Sequence, residues 1–288
     1  MFCVGLAAAL AAALVSACAD EPVDVGEAEP HGCSDPWDAA KAPTSTVPPA
    51  QSFGFRKSTQ VIDSFDGPAG DPPAPDIWNV IEGAGWDRGS QHYAPENAVL
   101  DGNGNLMLRA QKTDTGFTGG RVETRRKASF GYGTLIARIK MPSGTGLWPA
   151  FWLLGADEDT NPWPGAGEID VVEVVSDPRT AYSSIHGPIS GDSDYLQNQF
   201  VNTGPDLSAG FHDYWVIRAE NKITVGIDDT VWGVFTPEAL PPTAEWVYNK
   251  PFCLILNLAV GGDWAGPPDE STPFPAVMLV DWVHWEPA

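Results

Sequence analysis

The chain reads as an all-β protein, and three observations carry that reading. Gly and Pro are abundant, 30 and 27 among 288 residues. They punctuate short runs of Val, Ile, Phe and Trp, the composition of strands separated by turns. No segment shows an amphipathic helical period longer than about two turns, and no internal repeat is present. Once the first 57 residues are set apart, roughly 230 remain, a size suited to one large β-sandwich or barrel.

The elements follow in chain order. Residues 1–18 are apolar and Ala-rich, too short to cross a bilayer, and read as a secretory signal although no Lys or Arg precedes the apolar stretch. Val15-Ser16-Ala17-Cys18 also resembles a bacterial lipoprotein signal. In that alternative Cys18 is lipidated and anchors the mature chain at the cell surface; otherwise the protein is secreted free. Residues 19–57 are rich in Pro, Glu, Asp, Ser and Thr, with few large apolar residues, and are expected to form a disordered tether. Residues 58–288 form the folded domain, with one short helical turn expected within 236–246.

The most informative strand is Glu168-Ile169-Asp170-Val171-Val172-Glu173. Its β-branched residues predict a strand, yet it carries three carboxylates, which seldom enter buried surroundings without a reason. In a plain strand Glu168, Asp170 and Val172 share a face and Glu173 points away. One β-bulge between Asp170 and Glu173 returns Glu173 to the acidic face. The two glutamates are then about four strand rises apart, roughly 13 Å between Cα atoms. Side chains leaning together leave about 5–6 Å between carboxyl groups, the spacing of a retaining rather than an inverting glycosidase. Aromatic residues frame the strand: Trp148, Phe151 and Trp152 before it, and Trp163 in the approach to Gly167. Apolar sugar faces stack on such rings, so an acidic row walled by Trp describes a carbohydrate cleft. Trp148 and Trp152 are spaced to share one face with Phe151 on the other, and at least one of the three tryptophans is expected in the core.

Net charge is −22, from 38 acids against 16 bases. Nucleic acid is excluded as a partner, because phosphate binding needs a basic surface, and polyanionic glycans are disfavoured. Of the four cysteines, Cys3 and Cys18 lie in the targeting segment. Cys253 reads as a small buried hydrophobe, with a bridge to Cys33 as the alternative.

The run Leu147–Leu154, Trp163-Pro164 and Gly167–Glu173 resembles the signature of glycoside hydrolase family 16 in its bulged, laminarinase-like form. The likeness extends to Asp63–Pro68, Asn105–Ala110, Gly120-Arg121-Val122, Ile185–Pro188, Phe211–Trp215, Leu254–Trp264 and Met278–Trp282, covering about residues 58–288 in order. It implies a β-jelly-roll sandwich of two curved antiparallel sheets with an open concave substrate cleft. It implies Glu168 as nucleophile and Glu173 as general acid/base, with Asp170 hydrogen-bonding and orienting Glu168. Glu173 must keep its proton near neutral pH, and the field of the other two acids favours that. Trp148, Trp152, Trp163 and Trp264 become sugar-contacting residues, and His186 faces the cleft near the acid/base.

The sequence departs from the family pattern at Trp86–Tyr93, where Arg88 and His92 are expected to meet sugar. A Glu common in relatives is missing there, and His92 stands in place of a Gln. No cofactor is implied for the chemistry. A structural calcium is implied on the convex face, on the Asp281 carboxylate and backbone carbonyls near Ser64 and Gly104. The function implied is that of a monomeric retaining endo-β-glucanase, acting on a neutral β-1,3- or mixed β-1,3/1,4-glucan without a protein partner. The alternatives are a hydrolase of another neutral glycan such as agarose, and a non-catalytic glucan-binding protein.

Overall fold

A computed structural model describes residues 60–85, 89–190 and 196–288. The targeting segment with Cys18, the tether with Cys33, and Arg88 lie outside the described residues. Among the described residues seventeen strands run in order: β1 (Gln60–Asp63), β2 (Asn79–Val80), β3 (Gly83–Ala84), β4 (Gln91–Tyr93), β5 (Ala98–Leu100), β6 (Leu106–Thr113). Next are β7 (Gly116–Glu123), β8 (Gly133–Lys140), β9 (Leu147–Gly155), β10 (Glu168–Val174), β11 (Thr180–His186) and β12 (Leu196–Thr203). The last are β13 (His212–Ala219), β14 (Lys222–Ile227), β15 (Thr230–Phe235), β16 (Phe252–Val260) and β17 (Ala276–Pro287). The helical content among the described residues is two 3₁₀ turns, Pro95–Asn97 and Pro237–Ala239. The second lies in the segment where a helical turn is expected; the first has no sequence signal beyond its leading Pro.

Two curved sheets result. One is ordered β2–β7–β16–β9–β10–β11–β12 and is antiparallel throughout. The other is ordered β5–β6–β17–β8–β13–β14–β15, with β1 also on β17. The β6–β7 hairpin joins them. One pairing departs from the expected antiparallel plan: β4 runs parallel to the start of β7.

Between the sheets lies the core, with Phe151, Leu153, Ile169 and Val172 from the first facing Leu135, Ala137, Ile139, Val216, Met278 and Val280 from the second. Each large side chain so buried contributes about 1.5–3 kcal/mol relative to exposure. β16 is buried along its whole length, which accounts for its almost continuous apolar run Phe252–Val260. Within it Cys253 is buried as a free thiol, as the small-hydrophobe reading expects.

Gly167 delivers the chain into β10. Its φ is +72°, and a Cβ there would come within 2.8 Å of Val247 Cγ2. Only glycine meets both conditions.

Candidate active site

The bulge expected in β10 is present against both neighbouring strands. On β9, Asp170 pairs with Trp152 and Glu173 with Ala150; on β11, Asp170 pairs with Ser184 and Glu173 with Tyr182. Three steps along β10 thus match two on each neighbour. Val172 stays opposite Phe151 in the core, and Val171 is the surplus residue. Its carbonyl, displaced from the regular ladder, accepts the Ser183 hydroxyl at 2.8 Å. The bulge brings Glu168, Asp170 and Glu173 to one face, opposite Ile169 and Val172.

That face continues across the sheet in two transverse rows. One runs Glu173, Ala150, Asn257, Arg121; the other runs Asp170, Trp152, Ile255, Glu123, Asn79. The acids are sheltered, Asp170 being 3% exposed and Glu173 8%. His186, opposite Glu168 on β11, places Nε2 at 3.1 Å from Asp170 Oδ2 and 3.9 Å from Glu168 Oε1. His186, expected near the acid/base Glu173, thus meets Asp170 and Glu168 instead. Asp170, expected on Glu168, directs Oδ2 to the imidazole, so the three groups form one cluster. Their ligand atoms lie within 4.8 Å of one another, a spacing that could hold a cation, although the two carboxylates are the groups the chemistry needs.

The tryptophans divide by role. Trp148 Nε1–H donates to Glu173 Oε1 at 2.9 Å, and Trp152 Nε1–H donates to Asn257 Oδ1 at 2.7 Å. Both are half-buried on the cleft face while Phe151 is in the core, as their spacing predicts. Trp163 is 41% exposed, in the loop before Gly167. The expectation that one of the three belongs to the core is thus corrected: even spacing along the regular strand β9 puts Trp148 and Trp152 on one face, and the Trp152–Asp170 pair makes it the face of the acids. Trp264 is 41% exposed and stands edge-on to Trp148 and to Tyr182, with centroids 5.2 Å and 4.6 Å away. It stands exposed at the edge of the tryptophan wall. His92 is exposed on β4, between the buried Gln91 and Tyr93. It shares no contact with the acids among the described residues.

Several residues of the cleft were not picked out by the sequence. Arg121 lies with its guanidinium 5.0 Å from the Trp152 ring and 3.1 Å from Glu123. Asn257 fixes the Trp152 indole, and Tyr182 closes the wall beside Glu173. Tyr248 is buried and donates its hydroxyl to Gln197 Oε1 at 2.6 Å. Burial first, then the fields of Asp170 and Glu168, hold that phenol well above its ordinary range and keep it neutral. Asn257 did leave a signal, as the lone polar residue in Leu254–Val260.

At the proposed calcium position, the β1–β17 and β6–β17 registers bring Ser64, Gly104 and Asp281 to adjoining places. Asp281 Oδ2 already meets Arg138 Nε at 3.3 Å, and the Ser64 hydroxyl donates to Asp66. The guanidinium supplies the positive charge that an ion would bring, and no step of the chemistry runs through this position.

Paired glutamates on one bulged strand, a supporting aspartate and a tryptophan wall define a glycoside hydrolase. The chain belongs to glycosyl hydrolases family 16, whose sequence profile matches residues 87–284. It is 34% identical to a β-glucanase of Rhodothermus marinus over 229 residues, 74% of this chain and 79% of that protein. The fold resembles the laminarinase catalytic domain of Thermotoga maritima, with TM-score 0.72 and 32% identity, covering 80% of this chain and 98% of that one. It is equally similar to the endo-β-1,3-glucanase of Pyrococcus furiosus, with TM-score 0.72 and 33% identity, covering 84% of this chain and all of that one.

Proposed function

We propose that this family 16 enzyme is an endo-β-glucanase that cleaves internal β-1,3 bonds of a neutral glucan by double displacement with retention. The observation that supports this most is the bulge that sets Glu168 and Glu173 on one face of one strand. Ionised Glu168 attacks the anomeric carbon while Glu173 passes its proton to the departing glycosidic oxygen, leaving a glycosyl ester on Glu168. A water then attacks that ester, gives its proton to Glu173 and frees Glu168. The acidic composition suits a neutral polymer, and the β-1,3 preference rests on the names of the relatives.

Glu168→Gln and Glu173→Gln are each expected to lower kcat by about two to four orders of magnitude or more while the fold survives. Laminarin, barley glucan, lichenan and agarose assayed side by side test the substrate, and proton NMR of the first product tests the stereochemistry. A ladder of short β-anomeric oligosaccharides from laminarin is expected. An α-anomer appearing first, glucose as the sole early product, or action on agarose alone would overturn the reading.

A further inference from the structure

We infer that Trp148 is a positioning residue for the acid/base, fixing which oxygen of Glu173 carries the catalytic proton, rather than a platform for sugar stacking. The inference rests on the glucanase reading above and deepens it.

The geometry is specific. Trp148 lies two residues before Ala150, the direct β9 partner of Glu173, so its side chain rises from the same face beside the carboxyl group. Its indole N–H donates to Oε1 at 2.9 Å. A nitrogen that can only donate occupies Oε1 as an acceptor in either protonation state, so the transferable proton sits on Oε2. The ring has little freedom to turn away. Trp264 meets it edge-on at 88°, and Tyr182, opposite Glu173 on β11, packs against Trp264 in turn. The indole is thus held as a wall whose polar edge is directed at the catalytic carboxyl.

Two steps follow in the reaction. When the glycosidic C–O bond breaks, the Oε2 proton goes to the leaving oxygen and Glu173 becomes a carboxylate. The Trp148 N–H then stabilises the new charge on Oε1, because a hydrogen bond to the charged form favours it. When water attacks the glycosyl ester, its proton returns to Oε2. Several other groups share this surrounding. Glu168 and Asp170 on β10 oppose ionisation of Glu173. Among the described residues, His186 and Tyr182 on β11, Arg121 and Glu123 on β7, Tyr248, and Asp263 beside Trp264 are the further titratable groups. Trp148 is a neutral donor, so removing it leaves the charges in place.

The test compares the wild-type protein with Trp148→Phe on two substrates, laminarin and dinitrophenyl β-laminaribioside. The aryl group departs with little need of a proton. For laminarin kcat/KM should fall about 10-fold to 100-fold, within the span of general acid catalysis, while the aryl glycoside loses no more than about threefold. The alkaline limb of the laminarin profile should move up by about half a pH unit to one unit, since losing the donor raises the carboxyl pKa. Rates are taken per active site, counted from the dinitrophenol burst, so partly misfolded protein cancels. Trp148→Leu gives a second variant that also lacks the N–H. Equal losses on both substrates with an unmoved alkaline limb would overturn the inference and make Trp148 a packing or stacking residue. A wild-type protein inactive on laminarin would overturn the glucanase reading and this inference with it.

Discussion

Arg218 shows how a single residue outside the cleft can determine whether the cleft exists. It is 3% exposed on β13 and donates to the carbonyls of Phe130, Gly131, Tyr248 and Lys250, with its guanidinium 4.4 Å from the Phe252 ring. Burial lowers its pKa to about 10, so it remains charged at neutral pH. Those carbonyls belong to the segment that leads into β16 and to the one before β8 that bridges to it through Phe130 and Phe252. Arg218→Met should cost about 3 kcal/mol by stranding buried acceptors, read as a lower denaturant midpoint. A midpoint within experimental error of the wild type would refute this account. Nothing in Ile217-Arg218-Ala219 announces such a role, because its partners lie about 30 and 90 residues away in sequence. The acids of β10 were legible for the opposite reason. Their unusual setting, carboxylates amid Ile and Val, is itself local, whereas Arg121 and Tyr182 acquire meaning only from strand register.

Among the elements, the loop between β9 and β10 is held by charge rather than by apolar packing. Lys250 Nζ lies 2.8 Å from Asp157 and 3.2 Å from the Gly165 carbonyl, and Asn161 Nδ2 reaches the same carbonyl at 2.7 Å. Arg125 and Arg126 hold the two residues after Asp157, Glu158 and Asp159. This loop carries Trp163. We predict that Lys250→Met raises KM for laminarin about threefold to tenfold, equivalent to ~1 kcal/mol, and leaves kcat within about twofold. In a Trp163→Ala background the same substitution should add nothing; independent, additive effects would reject the link. The bulge of β10 could be foreseen because acidic face and apolar face demand different counts. The parallel β4–β7 pairing could not, since β4 is three residues long and its neighbour is chosen by the path of the whole chain.

The whole molecule is shaped by its surplus of acid. Several carboxyls are held below their ordinary range. Asp159 is lowered to about 2 by Arg126 and then Arg125. Asp206 is lowered by Ser208, and Asp269 by Ser271. Asp157 and Asp101 are raised by burial but lowered further by Lys250 and Asn161, and by Asn103 and Asn105. A folded pKa below the unfolded one gives stability that is present above the unfolded value and lost as pH falls through the folded one. For Asp159 the loss belongs between about pH 4 and pH 2, and for the others it sets in below about pH 4. The repulsion of a −22 chain works the other way and eases as unpaired carboxyls gain protons. Melting temperature should therefore peak near pH 5 and fall steeply below about pH 4, and at pH 7 added salt should raise it. Scanning calorimetry across pH checks both, and a melting temperature still rising below pH 4 would contradict the pairing described. This balance was open from composition alone, but which acids are paired was not.

Val171 gives the catalytic strand one residue more than either neighbour requires. Dropping one residue there would leave Glu168, Asp170 and the shortened-on glutamate in plain alternation, opposite the same Trp152, Ala150, Ser184 and Tyr182. Deletions ordinarily rank among the harshest changes a strand can suffer, since a one-residue slip exchanges its two faces. In this strand a lost codon is the conservative change and a lost pair of codons the ruinous one. Length variation at this point is thus open to natural drift, with the Ser183 hydroxyl, deprived of its acceptor, as the visible scar.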